Sequence, residues 1–181
     1  MKRIMIIGSG GAGKSTLARQ MGGILGIEVF HLDSIHWKPG WVETPFDEWK
    51  EIIDKLTQKV EWIIDGNYGD STMETRFRAA DTIVFMDLPR TVCIYRILKR
   101  RIQNIGKVRP DMGKGCPEKI DCNFIKWIWT YPDSKRPAIL DKIQMYATGR
   151  KIFILHNSKE VKRFLGQLTF LTGKKSRQNM I

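Results

Sequence analysis

Gly8-Ser9-Gly10-Gly11-Ala12-Gly13-Lys14-Ser15-Thr16 decides the class of this chain. The string satisfies G-x-x-x-x-G-K-[ST]. It follows an apolar run at residues 3–7 and opens a stretch in which Leu17, Met21, Ile24 and Leu25 recur at helical spacing. Strand, glycine-rich turn and helix in that order are the context the pattern requires. Glycines let the backbone curl until successive N–H groups converge on phosphate oxygens. The N-terminus of the following helix adds partial positive charge. Gly8, Ser9, Gly10, Gly11, Ala12 and Gly13 form the cradle. Lys14 is placed to reach the β- and γ-phosphates, Ser15 to ligate Mg²⁺ and Thr16 to touch the α-phosphate. The expected ligands are ATP and Mg²⁺.

Four more short apolar runs follow, at residues 29–32, 62–64, 82–86 and 152–155. They are continuous rather than alternating, as in parallel strands buried on both faces. Helical patterns separate them. Thr44-Pro45-Phe46-Asp47 reads as a helix start with Thr44 as N-cap, ahead of a stripe of Trp49, Ile52, Ile53 and Leu56. Residues 90–103 form a helix with Val92, Tyr95, Leu98 and Ile102 on one side, and the apolar Ile97, Leu98 and Ile102 predict that a side of it is buried. Further helices are expected near 118–131, 134–148 and 158–171. Alternating strands and helices predict a three-layer α/β fold. The domain is expected over residues 1–172, with a basic tail at 173–181. Residues 104–117 carry three Gly, two Pro, two Lys and one Arg without apolar periodicity. A loop of that length in a compact domain is usually functional or mobile, so it is the expected lid.

The 181 residues amount to one domain with trimmings. At 42% hydrophobic and 28% charged, the chain is neither disordered nor membrane-embedded. No apolar run approaches the ~18 residues of a spanning helix. Residues 4–7 are too short for the apolar core of a signal peptide. Cys93, Cys116 and Cys122 are too few and too scattered for a disulfide scaffold, and fit a reducing cytoplasm. The net charge of +12 is unevenly spread. Residues 1–89 hold 10 Lys/Arg against 13 Asp/Glu, and residues 90–181 hold 21 against 6. A basic half suggests a surface that meets polyanions, either nucleic acid or a polyphosphate nucleotide.

The N-K-x-D guanine signature of P-loop GTPases is absent. A small P-loop protein with a basic second half points to kinases of small molecules. The chain resembles the adenylate-kinase-like branch of P-loop kinases, and more narrowly the bacterial family described as DNA topology modulation proteins. The resemblance rests on the P-loop, His31-Leu32-Asp33, Trp37-Lys38-Pro39-Gly40-Trp41, Trp62-Ile63-Ile64-Asp65-Gly66-Asn67-Tyr68, Asp87-Leu88-Pro89-Arg90, Lys99-Arg100-Arg101, Arg109-Pro110-Asp111 and Gly115-Cys116-Pro117-Glu118. It implies a five-stranded parallel sheet of order 2-3-1-4-5 with a small lid.

The resemblance also implies roles. Asp65, closing a strand beside the P-loop strand, aligns with the acid that holds the Mg²⁺ water shell; Asp87, closing the next strand, is the rival, or else caps the helix that follows. Arg96 and Arg100 share a helix face. They match an adenine-stacking arginine and a phosphate clamp, or else form a solvated basic face. Arg109 and Arg136 are the candidate lid and post-lid arginines over the transferring phosphoryl group. Asp33, expected to end the second strand, is the carboxylate that binds or deprotonates an acceptor hydroxyl, or a turn cap. Adenylate kinases carry an arginine for a monophosphate acceptor where this chain has Gly69, leaving Arg76 or Arg78 as substitutes. His36, Trp37 and Trp41 either stack on a base or sugar or cover a flap. Trp127 and Trp129 read as core or interface. His156-Asn157-Ser158 falls where related kinases cup adenine. The lid lacks a four-ligand zinc pattern. The expected partners are ATP and a small acceptor, in a monomer or homodimer without a membrane. The rival class is an ATP-dependent DNA-binding protein, although no helix-turn-helix or ribonucleoprotein signature accompanies the charge.

Overall fold

Each apolar run becomes a strand because its alternate side chains find an apolar layer on both faces of one sheet. In this computed structural model, residues 1–69, 71–103, 115–116 and 121–178 are described. Strand β1 (Arg3–Gly8) turns through the P-loop into α1 (Lys14–Leu25). Then come β2 (Val29–His31), the short helix α2 (Leu32–His36), and the hairpin strands β3 (Trp37–Lys38) and β4 (Val42–Glu43). Helix α3 (Phe46–Thr57), β5 (Trp62–Asp65), α4 (Ser71–Ala79), β6 (Thr82–Met86) and α5 (Arg90–Gln103) follow. The chain closes with α6 (Cys122–Ser134), α7 (Arg136–Met145), β7 (Lys151–Leu155) and α8 (Ser158–Gln178).

The main sheet runs β2-β5-β1-β6-β7, all parallel. Counting its five strands in chain order gives 2-3-1-4-5, as expected. Register sets the site: Ile6 pairs with Asp65, His31 with Asp65, and Gly8 with Met86. Ile4, Ile6, Val84 and Met86 face α1, α5 and α8 through Leu17, Met21, Ile97 and Phe164. Met5, Ile7, Ile64 and Phe85 face α3, α4 and α7 through Ile53, Phe77 and Ile143. Each such side chain contributes roughly 1.5–3 kcal/mol on burial. No described helix is long and apolar enough to cross a membrane.

Several local expectations are corrected. Asp33 does not end a strand; β2 stops at His31, and Asp33 stands in the first turn of α2. Thr44 does not cap α3. Pro45 holds that position, and the Thr44 hydroxyl donates to the His36 carbonyl at 2.8 Å. On α5 the buried residues are Cys93 and Ile97, whereas Tyr95, Leu98 and Ile102 are 64%, 49% and 72% exposed. The P-loop packs on α5 at Cys93, and that narrow contact chooses the face. Helix α6 begins after Asp121, whose carboxylate accepts from the Phe124 N–H at 2.8 Å. Helix α8 spans Ser158–Gln178, longer than the helix expected near 158–171.

Candidate active site

The P-loop is held from three sides. Gly8 has φ 147°, and a Cβ there would lie 2.5 Å from the Met86 carbonyl oxygen of β6. Gly11 has φ 75°, and a Cβ there would lie 2.4 Å from the Cys93 carbonyl oxygen of α5. Only glycine satisfies both the left-handed backbone and the contact. The third side is Asn67, immediately past β5. Its amide N–H donates to the Gly8 carbonyl at 2.8 Å, and its oxygen accepts from the Gly8 N–H at 3.1 Å. Lys14 Nζ donates to the Ser9 carbonyl at 3.0 Å. Burial pushes the Lys14 pKa below the usual lysine range, while the nearby Asp33 and Asp65 carboxylates oppose that shift.

The P-loop floors a cleft of about 660 Å³, also lined by Asp33, Arg96, Arg100, Phe124 and Ser158. That volume suits a nucleotide-sized ligand. The Arg96 guanidinium donates to the Ala12 carbonyl and to the Ser158 hydroxyl, each at 2.9 Å. Arg100 stands close enough to Lys14 to depress its pKa further. Of the expected adenine-cupping segment at 156–158, Ser158 lines this cleft, while His156 and Asn157 take part in capping α8. The Asn157 carboxamide oxygen accepts from the Lys159 and Glu160 N–H groups at 3.0 Å, and Glu160 accepts from the His156 N–H at 2.7 Å.

The two rival acids have different surroundings. Asp65 is 3% exposed at the end of β5, and its Oδ1 accepts from His31 Nδ1–H at 2.5 Å. Asp87 takes the Arg136 Nε–H at 2.9 and 3.0 Å and faces His156 Nδ1 at 3.4 Å. Asp87 therefore pairs across to α7. The Asp87 carboxylate in turn raises the Arg136 pKa. Mg²⁺ keeps most of its waters and needs only one or two protein ligands. The Ser15 hydroxyl and the Asp65 carboxylate fit it, and no group of three or more potential metal-ligating side chains exists among the described residues. Arg109 and all of the expected lid except Gly115 and Cys116 lie outside the described residues.

The other side of Asp33 is aromatic. Tyr68 stands near Asp33 and Trp37, close enough for the Asp33 charge to act on its hydroxyl. Burial and then the Asp33 charge push the Tyr68 pKa up. His36 packs against Tyr68, Trp49 and Trp37 with ring centroids 4.4, 4.8 and 5.2 Å apart, and Trp37 meets Trp41 at 5.4 Å. Trp41 has φ 64° at the tip of the β3–β4 hairpin, a backbone that costs a bulky residue about 1–3 kcal/mol. The hairpin is also clasped from outside: the Gly40 N–H donates to the Gly115 carbonyl at 3.2 Å, and Cys116 Sγ lies 3.2 Å from the Lys38 carbonyl.

Neither substitute for the missing arginine faces an acceptor. Arg76 is fully buried and donates to the Gly66, Asn67 and Tyr68 carbonyls at 2.8, 2.7 and 2.6 Å. Arg78 pairs with Glu74 at 2.6 Å on the surface of α4. Asn67, Tyr68, His31 and the structural role of Arg76 are missed by motif reading. The signal for Asn67 and Tyr68 is the string Asp65-Gly66-Asn67-Tyr68 at the end of a buried strand.

No protein-family model matches the chain, and neither does any curated protein. Solved structures do match its fold. A shikimate kinase from Acinetobacter baumannii, solved with shikimate, superposes with a TM-score of 0.59 at 14% identity, over 97% of this chain and 94% of that one. A gluconokinase from Sinorhizobium meliloti matches with a TM-score of 0.51 at 15% identity, over 98% and 97%. A shikimate kinase from Aquifex aeolicus matches with a TM-score of 0.51 at 16% identity, over 96% and 98%. The chain shares the three-layer P-loop architecture of these proteins.

Proposed function

We propose that the protein is a kinase that transfers the γ-phosphoryl group of ATP to a hydroxyl of a small acceptor. The observation that carries this reading is Asp33. It lines the P-loop cleft and acts electrostatically on Lys14, so a carboxylate stands where an acceptor oxygen meets the γ-phosphate. Phosphoryl transfer has a loose transition state, and catalysis is mostly positioning and charge stabilisation. Asp33 orients the hydroxyl and takes its proton. Lys14 and the P-loop N–H groups hold the phosphates, with Arg100 as a further clamp. The bridged Arg96 offers its planar face to adenine. Ser15 and Asp65 would hold Mg²⁺, which would supply charge neutralisation to the phosphates. Arg109 supplies further charge over the phosphoryl group, and Arg136 does so on leaving Asp87.

On this reading residues 1–172 are the catalytic domain of a cytoplasmic enzyme, with 173–181 as a basic extension. The tryptophan-rich strings support membership of the DNA topology modulation proteins. A second reading, an ATP-dependent nucleic-acid-binding protein, draws on the 21 Lys/Arg against 6 Asp/Glu of residues 90–181. It predicts affinity for DNA that falls steeply with salt. ADP release that depends on an added small molecule, and is lost in Lys14→Ala, tests the kinase reading. ADP release that depends only on DNA overturns it.

A further inference from the structure

The wall beyond Asp33 carries information on what the acceptor is. It starts on α2, which carries both Asp33 and His36, and runs from Tyr68 through His36, Trp49, Trp37 and Trp41 in unbroken ring contact. Its charges are negative. Asp33 sits at its base, and Glu43, on the strand opposite Trp37, acts on both His36 and Tyr68. Burial holds the His36 pKa below the ordinary histidine value, so its ring is neutral at pH 7.

The basic side chains around this wall are already engaged. Lys38 is paired with Glu48 at 2.7 Å and Arg78 with Glu74 at 2.6 Å, while the Arg76 N–H groups are directed to backbone carbonyls. Among the described residues, then, the partly exposed His36, Trp37, Trp41 and Tyr68 present aromatic surface over the buried Trp49, with Asp33 and Glu43 as neighbouring carboxylates. Of the basic groups that line the cleft, Lys14 and Arg96 are bound to the P-loop backbone, at the Ser9 and Ala12 carbonyls.

We infer that the acceptor is a hydroxyl compound with no anionic group and with a flat apolar face, such as a nucleoside or another ring-bearing alcohol, rather than a phosphate monoester or a carboxylic acid. The inference rests on the kinase reading above and narrows it. An aromatic face stacks on a flat ring whatever its substituents. A carboxylate about 4–10 Å from a second anion, at the effective dielectric of a protein surface, disfavours binding by roughly 10–1,000-fold.

A fractionated cell extract tests this. The deproteinised extract is split on an anion exchanger, and the flow-through is split again on porous graphitic carbon, which retains flat rings. Each fraction is incubated with wild-type protein, Mg²⁺ and γ-³³P-ATP, and label transferred to small molecules is counted. The expected result is label transfer in the flow-through fraction that carbon retains, at least about tenfold above the anionic fraction, the lower bound of the like-charge penalty. Transfer mainly in the anion-exchanger eluate overturns the inference and leaves the kinase standing. Transfer in the flow-through that carbon does not retain overturns the flat face. If no fraction accepts label while Mg·ATP still raises the melting temperature, the kinase reading falls and takes this inference with it.

Discussion

Replacing Arg76 by Met removes a buried cation that no carboxylate among the described residues balances. The side chain is fully buried, and its N–H groups donate to the carbonyls of Gly66, Asn67, Tyr68 and Thr72 at 2.8, 2.7, 2.6 and 3.3 Å. Hydrogen bonds from a charged donor contribute about 1.5–3 kcal/mol each, so the four are worth roughly 6–12 kcal/mol. Burial opposes them. It pulls the guanidinium pKa from 12.5 down to about 9, a cost of about 5 kcal/mol at 1.36 kcal/mol per pH unit. The difference leaves a net loss of roughly 1–7 kcal/mol, centred near 4, in Arg76→Met. For a chain of this length a loss of about 4 kcal/mol is roughly 8–16 °C in melting temperature. The loss falls on the loop whose Asn67 grips Gly8, so ATP binding weakens along with stability. Urea unfolding followed by far-UV circular dichroism, with and without Mg·ATP, measures both. A midpoint within about 0.5 kcal/mol of wild type, the ordinary scatter of a neutral surface change, refutes the view that Arg76 braces this loop.

Further outcomes are expected at the site itself. Lys14→Ala keeps the fold and loses the rise in melting temperature caused by Mg·ATP, which differential scanning fluorimetry reports. In wild type, burial favours neutral Lys14 while phosphate favours the ammonium. ATP binding therefore takes up a proton, and affinity falls as pH rises through the depressed Lys14 pKa. Fluorescence titrations from neutral to alkaline pH show this slope in wild type and its absence in Lys14→Ala. Gly11→Ala drives a methyl group into the Cys93 carbonyl at 2.4 Å with φ at 75°. It costs about 1–3 kcal/mol in strain, and nucleotide binding suffers more than stability in parallel titrations and melts. Asp33→Asn lowers kcat by about 10²–10⁴-fold with ATP affinity near wild type, as expected of a general base. A turnover number at or above wild type in steady-state kinetics removes Asp33 from catalysis.

The sheet is legible in the sequence because strands buried on both faces leave continuous apolar runs, and the P-loop because its chemistry permits few residue types. Helix α5 appears at its sequence-predicted limits, Arg90–Gln103, yet its buried face does not. Val92, Tyr95, Leu98 and Ile102 form the broader apolar stripe, but the bare backbone of Gly11 meets Cys93, and sequence cannot show which face a distant glycine will approach. Asp65 is legible as an acid closing a buried strand. Its partner His31 is not, since their meeting depends on the register of β2 against β5. Arg76 misleads most. An arginine on a helix reads as a surface or ligand group, and only the loop folded over it reveals a structural cation.

Arg96 ties the backbone of the P-loop at Ala12 to the first residue of α8 at Ser158. Three segments distant in sequence, the P-loop, α5 and α8, are thereby fastened before any nucleotide arrives. Ordering them is part of the free energy of folding, and a ligand entering the cleft need not supply it. Calorimetry of ATP binding should then show a heat-capacity change set by the apolar surface the nucleotide covers, without the larger signature of coupled folding. Cutting the strap with Arg96→Ala transfers that ordering to the binding step. Affinity drops with a more unfavourable entropy and a larger heat-capacity change, a signature that loss of the adenine contact alone does not produce.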